Sequence, residues 1–258
     1  MTSAVVYRAR GEGIPVVLLH AFPLHAGMWR DVADDLADDH LVITVDQRGF
    51  GDSADIVLPP DPSLDVCAED VAGVLDELGE HSAFLVGVSM GGYVAMAFAR
   101  RHMRRVRGLV LSDTKVTADT PEAAAVRLDI AARVLADGDA GPFTASMLPK
   151  LLGETTRREK PDVVKEAAAI LAEASPEAVA WAQRAMAARP ATGTLSGLRG
   201  IAVRGDEDEL MSIADSDGVV RALGGAPLVT VPGAGHLPPL ERPREFAAAV
   251  RGLTRGPG

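Results

Sequence analysis

Six short runs along the chain are apolar at nearly every position rather than at alternate ones: Val16–Leu19, Leu41–Val45, Ala83–Val88, Val106–Leu111, Gly200–Val203 and Leu228–Val231. A strand with one wet face alternates apolar and polar residues, so continuous apolar runs of this length predict strands of a parallel sheet covered by helices on both faces. Between the runs the period changes to that of a helix. Ser63 to Gly79 places Val71, Val74, Leu75 and Leu78 on one face, with Gly79 as the stop, and Pro243 to Leu253 does the same with Phe246, Val250 and Leu253. Strand and helix alternate, which makes the class α/β.

One region breaks the alternation. From about Pro121 to Arg189 there is no strand-like run, only alanine-rich helical patterns separated by Asp137–Gly138, Pro142, Pro149, Gly153, Pro161 and Pro176. These predict about four helices between a strand ending near Ser112 and one starting near Gly200. Because the chain then returns to the same sheet, residues 115–195 read as a helical cap inserted in a single domain of residues 1–258. The tail from Thr254 to Gly258 is expected to be disordered.

Composition narrows the field. The 258 residues are 47% hydrophobic and 24% charged, ordinary for one large globular domain. A net charge of −10 argues against a nucleic-acid partner, and the short pairs Arg100–Arg101 and Arg104–Arg105 read as solvated helix ends. Neither a signal-peptide pattern nor an apolar run of bilayer length is present, so no membrane association and a cytoplasmic location are expected. The single cysteine, Cys67, falls in the first predicted long helix, where it reads as packing in a reducing compartment.

The candidate chemistry starts in Leu85–Phe98, LVGVSMGGYVAMAF. Ser89 sits where the apolar strand ends and a helix from about Met90 to His102 begins, inside Gly87-Val88-Ser89-Met90-Gly91. That is a nucleophile elbow: the glycines remove side chains that would collide at a sharp turn, and the hydroxyl is lifted above a helix N-terminus. Such a serine needs a base, and the base an orienting acid. Of six histidines, only His236 follows the last strand-like run, in Gly233-Ala234-Gly235-His236, where glycines permit a tight loop. His20 reads as a hydrogen-bonding structural residue, and His25, in an early loop, could at most touch substrate. The acid is open on the residues alone: Asp206, Glu207, Asp208 and Glu209 stand in a row after one strand, and Asp113 follows another.

Several motifs together, in order and spacing, resemble the α/β-hydrolase superfamily: His20-Ala21-Phe22-Pro23-Leu24, Asp46-Gln47-Arg48-Gly49-Phe50-Gly51-Asp52-Ser53, the elbow, Gly205 to Asp208, and Gly233 to Glu241. Within it the chain is similar to the small capped esterases, enol-lactonases and cofactor-free haloperoxidases. The resemblance implies an α/β-hydrolase fold with the cap before the acid-bearing strand. Its Gly-x-x-Asp pattern selects Asp208, with Asp113 as the rival because some members carry the acid there. It also implies an oxyanion hole built from the N–H groups of Phe22 and Met90; Ala21 departs from the commoner glycine. Asp46 and Arg48 are expected to be structural. Gly49-x-Gly51-x-x-Ala54 superficially matches part of a dinucleotide fingerprint, but a proline-rich loop rather than a helix follows it.

A serine rather than a carboxylate at the elbow points to acyl chemistry, not the alkyl displacement of dehalogenases and epoxide hydrolases. The expectation is therefore a serine hydrolase of a small carboxylic ester or lactone, with no cofactor and no metal, and with homo-oligomerisation left open. The alternatives are a 3-oxoadipate enol-lactonase-like lactonase, for which Arg127, Arg133 and Arg184 are candidate cations, a perhydrolase or haloperoxidase-like activity, and a ligand-binding homologue without turnover. Trp181, Met147 and Leu148 are possible cap residues facing substrate.

Overall fold

The computed structural model describes residues 4–255. Its centre is a seven-stranded sheet of β1 (Tyr7–Arg10), β2 (Ile14–Leu19), β3 (His40–Val45), β4 (Ala83–Val88), β5 (Val106–Ser112), β6 (Gly200–Gly205) and β7 (Leu228–Val231). The spatial order is β1-β3-β2-β4-β5-β6-β7, with β1 antiparallel to β3 and every other pairing parallel.

Alternation along the strands explains why they read as unbroken apolar runs. Val17 and Leu19 of β2, Leu85 of β4 and Leu109 and Leu111 of β5 enter one core, against α2 (Leu64–Glu77) and α3 (Met90–Arg101). Their neighbours Val16, Leu18, Val86, Val88 and Val110 enter the other, against α1 (Arg30–Leu36) and α11 (Pro243–Thr254). Both faces are covered, so both sets must be apolar. Strand β1, absent from the expectation, is a four-residue edge strand, Tyr-Arg-Ala-Arg, whose residues are exposed or half-buried; it carries no apolar run to read. Helix α2 ends as expected, with Gly79 at φ +72° just past Leu78, and Cys67 is buried within it.

Five helices, not four, lie between β5 and β6: α4 (Pro121–Asp137), α5 (Gly141–Leu151), α6 (Glu154–Glu159), α7 (Pro161–Ala172) and α8 (Pro176–Ala188). Pro121, Pro142, Pro161 and Pro176 stand in the first turns of four of them, where the missing N–H of proline costs nothing, whereas Pro149, expected to separate two helices, lies inside α5. The extra element is α6, a six-residue helix set off by Gly153 and Pro161. After β6 come α9 (Ile213–Ala222), then β7, and the short α10 (Pro238–Glu241) that precedes α11. Thr254 belongs to α11 and its hydroxyl meets His40 Nε2 at 2.8 Å, so the expected disordered tail does not begin there; residues 256–258 lie outside those described.

Candidate functional site

The loops at the carboxyl ends of the parallel strands converge on one cavity. Ser89 follows β4 directly, with φ +54° and ψ −114°, a conformation that a residue bearing Cβ adopts only where its surroundings enforce it. Three hydrogen bonds do so. Its N–H donates to Ser112 O at 2.9 Å, and its carbonyl accepts from Thr114 Oγ1 at 2.9 Å and from Tyr93 N at 3.2 Å. The elbow glycines are required sterically: a Cβ on Gly87 would stand 2.3 Å from Gly91 O, and one on Gly91 would stand 2.0 Å from Leu19 O.

His236 is buried, and its Nδ1 meets Asp208 Oδ2 at 3.0 Å. Asp208 in turn accepts the N–H groups of Leu210 and Met211 on Oδ1, at 2.7 and 3.3 Å. Burial raises the Asp208 pKa, but the facing imidazole and these hydrogen bonds outweigh it and hold the carboxyl below its ordinary value. Close backbone approach makes this meeting possible. A Cβ on Gly205 would lie 2.0 Å from Gly235 O, and one on Gly235 would lie 2.3 Å from Gly153 N. Three glycines thus let the acid loop, the histidine loop and the α5–α6 connection touch.

The rival acid is not elsewhere. Asp113, φ +45°, is buried in the same cluster, and its acceptor atoms lie within 4.8 Å of those of Asp208 and His236. Among the described residues, it is Asp208 that hydrogen-bonds the imidazole. The spacing of these three groups would also admit a cation, but His236 Nδ1 and Asp208 Oδ2 bond each other, while the Asp113 oxygens accept the Gly205 N–H and the Ser112 hydroxyl. Asp206 instead accepts Gly233 N, and Glu207 holds Thr155. Of the other histidines, His25 caps a 3₁₀ turn, His40 binds Thr254, His102 pairs with Glu69, and His81 is exposed.

His20 is structural. Its Nδ1–H donates to Ala21 O at 3.0 Å and its Nε2 accepts Gln47 N–H at 2.9 Å, which fixes the loop carrying Phe22. Burial is the main reason its pKa drops to about 4. The Ala21 side chain is fully buried, so the glycine departure is accommodated. Among the described residues the Phe22 N–H has no protein partner, and the Met90 N–H is one of the first-turn donors that a helix leaves unused. Asp46 accepts Ala26 N, and Arg48 forks onto Asp70, both joining loops as expected.

The cavity above Ser89 and His236 is about 390 Å³. Phe22, Val126, Ile130, Met147, Leu151, Met186, Leu210 and Met211 supply apolar walls, with Lys115, Asp119, Arg127, Gln183 and Asp215 between them. Lys115, Arg127 and Arg189 all surround the Asp119 carboxylate, whose pKa burial raises and these cations lower further than that. Of the suggested lining residues only Met147 faces this cavity. Leu148 borders a separate one beside α7, and Trp181 is buried with its Nε1–H on Pro59 O.

Sequence reasoning missed Glu241. Its fully buried carboxylate accepts three backbone N–H groups, from Gly153 (2.8 Å), Gly235 (2.8 Å) and Leu237 (3.2 Å), and so brackets His236 on both sides. The one available signal was an acid closing the apolar stretch Leu237-Pro238-Pro239-Leu240.

Residues 16–249 match the model of the alpha/beta hydrolase family. The chain belongs to that family. Over 93% of its length it is 30% identical to pimeloyl-[acyl-carrier protein] methyl ester esterase of Chromobacterium violaceum, of which the match covers 94%. It spans only 28% to 42% of the length of other curated relatives, among them epoxide hydrolase B of Mycobacterium tuberculosis, 39% identical over 38% of this chain and 28% of that protein. Among solved structures, a malate-bound thermophilic esterase from Thermogutta terrifontis is 36% identical with a TM-score of 0.92, covering 97% of this chain and 93% of that one. The enol-lactonase of Burkholderia xenovorans LB400, 23% identical with a TM-score of 0.86 over 98% and 96% of the two chains, shares the fold. Its relatives at 30% identity or more thus include esterases and an epoxide hydrolase. No helix among the described residues is long and apolar enough to cross a membrane.

Proposed function

We propose that this family member is a serine hydrolase of small, uncharged carboxylic esters, open-chain or lactone, working through an acyl-enzyme. One observation carries the reading: Ser89 and His236 face a single, largely apolar cavity, and His236 is hydrogen-bonded on its far side to a buried carboxylate. In this mechanism His236 Nε2 takes the Ser89 proton as Oγ attacks the ester carbonyl. Asp208, bonded to Nδ1–H, holds the tautomer with Nε2 free and stabilises the imidazolium that forms. The N–H groups of Phe22 and Met90 receive the oxyanion, each such donor being worth about 3 kcal/mol of barrier. His236 then protonates the leaving alkoxide, and water repeats the sequence on the acyl-enzyme. No cofactor enters any of these steps.

The cap of residues 115–195, within the one domain, decides what fits. Arg127 lines the cavity but is tied to Asp119, while Arg133 and Arg184 are exposed, so the cations needed for a carboxylated enol-lactone are not free there. That favours uncharged esters over the enol-lactonase alternative. A cavity of this size suits a small acyl and alcohol pair. The test is labelling with a fluorophosphonate probe, wild type against Ser89→Ala, with p-nitrophenyl esters of rising acyl length assayed beside lactones. Ser89-dependent labelling and hydrolysis are expected; their absence would return the chain to the non-catalytic alternative.

A further inference from the structure

The mechanism leaves Asp113 unused, although this carboxyl is buried against the residues that do the work. Its Oδ1 accepts the Gly205 N–H at 2.9 Å and its Oδ2 the Ser112 hydroxyl at 2.6 Å. Asp208 has two backbone N–H groups and the imidazole. Among the described residues no lysine or arginine bonds to either carboxylate; Lys115, two residues beyond Asp113, is paired with Asp119. The titratable groups whose side-chain oxygen or nitrogen atoms lie within 4.8 Å of an Asp113 oxygen are, among the described residues, Asp208 and His236. Two carboxylates packed this closely out of water do not both ionise, because their repulsion is barely screened. The better-solvated one keeps the charge. Asp208 is bonded by more N–H donors and faces the imidazole, whereas burial first, and the Asp208 charge second, push Asp113 well above the ordinary carboxylate range against the Ser112 and Gly205 bonds.

We propose that Asp113 stays a neutral carboxylic acid and acts as a positioning residue, giving its proton as a hydrogen bond to the Asp208 carboxylate and standing ready to orient His236 when Asp208 is removed. The proton stays on Asp113 and is not transferred to substrate. The donated bond fixes the Asp208 carboxylate toward Nδ1 and disperses part of its charge. Removal of the Asp208 charge lifts the repulsion on Asp113, which then ionises beside the same imidazole.

The kinetic consequences rest on the serine-hydrolase reading; the protonation state does not. Infrared spectroscopy of the wild-type protein at neutral pH should show the C=O band of a buried carboxylic acid, and Asp113→Asn should remove it. In ester hydrolysis, Asp113→Ala is expected to lose about tenfold in kcat/KM, the effect of one lost hydrogen bond, and to shift the acidic limb of the pH profile. Asp113→Asn, which retains an N–H donor of nearly the same shape, should recover most of that loss. Asp208→Asn should fall only about 10- to 100-fold, and the double variant Asp113→Asn with Asp208→Asn by the roughly 10⁴-fold typical of a triad without its acid. An Asp208→Asn variant as slow as the double variant, or a wild-type protein without the carboxylic-acid band, would overturn the proposal. Failure of Ser89 labelling with the band present would instead reject the hydrolase reading and leave the neutral carboxyl standing.

Discussion

Glu241→Ala is the most informative single substitution outside the proposed reacting groups. The carboxylate has no exposed surface, and it is the acceptor for three backbone N–H groups, one in the α5–α6 connection and two flanking His236. Truncation strands all three donors. A buried, unpaired polar group costs about 1–3 kcal/mol, and with the 3.2 Å contact to Leu237 counted as the weakest, the sum is about 4–6 kcal/mol. That is a large part of the 5–15 kcal/mol typical of a whole domain. Two of the donors, Gly235 and Leu237, flank His236, so the imidazole loses its fixed position as well, and a displacement of about 1 Å at a reacting group costs on the order of 100-fold in rate. Glu241→Gln separates the contributions: its amide oxygen can still accept Gly235 and Leu237, while its NH₂ opposes the Gly153 N–H, so an intermediate loss is expected. Urea unfolding gives the stability and kcat/KM on a p-nitrophenyl ester gives the positioning. If Glu241→Ala unfolds within about 1 kcal/mol of wild type and retains its kcat/KM, the carboxylate is not what holds the histidine loop.

Acid should destabilise the protein through His20: the folded pKa of about 4 lies below the ordinary 6.5, so the unfolded chain binds the extra proton first and stability falls as pH drops from about 6.5 to 4, by about 3 kcal/mol in total. Denaturant midpoints across that range, compared with His20→Gln, would show a flatter slope in the variant; equal slopes would reject it. Gly91→Ala places a Cβ 2.0 Å from Leu19 O and 2.9 Å from His20 O, and should give no soluble folded protein at 37 °C, whereas Gly252→Ala, with open space around it, should express normally. Cys67, whose thiol burial and the Asp70 charge push up to about 12, should resist iodoacetamide at pH 8 until the protein is unfolded; rapid labelling of the native form would contradict its placement in the core.

Much of this was legible beforehand because the features concerned are local. A doubly covered strand shows itself as an apolar run, and the elbow shows itself as glycines around a serine at a strand–helix junction. The placement of His236 at the same cavity as Ser89 was legible for the same reason, since glycines precede it after the last strand. What resisted reading depends on distant parts of the chain. The row Asp206 to Glu209 does not say which acid turns toward an imidazole; the meeting of Gly205 with Gly235 does, by bringing Asp208 under Nδ1. Asp113 and Asp208 compete as rivals in the linear sequence, yet in the fold they are neighbours. Strand β1 was missed because an edge strand with wet faces carries no burial pattern, and α6 because six residues hold less than two turns of periodicity.

The same contacts bear on how the helices between β5 and β6 relate to the proposed site. A lid that merely covers a site could change its lining residues without disturbing the reacting groups. Here the end of α5 and the connection after it touch the histidine loop directly: Leu151 O accepts the His236 N–H at 3.0 Å, and Gly153 N shares the Glu241 carboxylate with Gly235. Leu151 also lines the cavity. One backbone segment therefore sets both the shape of the cavity and the position of His236. On the other side, Arg127 and Arg189 of the helical region clamp Asp119, while Trp181 of α8 reaches Pro59 O. The shape of the cavity and the placement of His236 are consequently not independent properties of this fold: changes between α5 and α6 act on both, whereas changes along α4, which meets the cavity through Val126, Arg127 and Ile130, act on its shape.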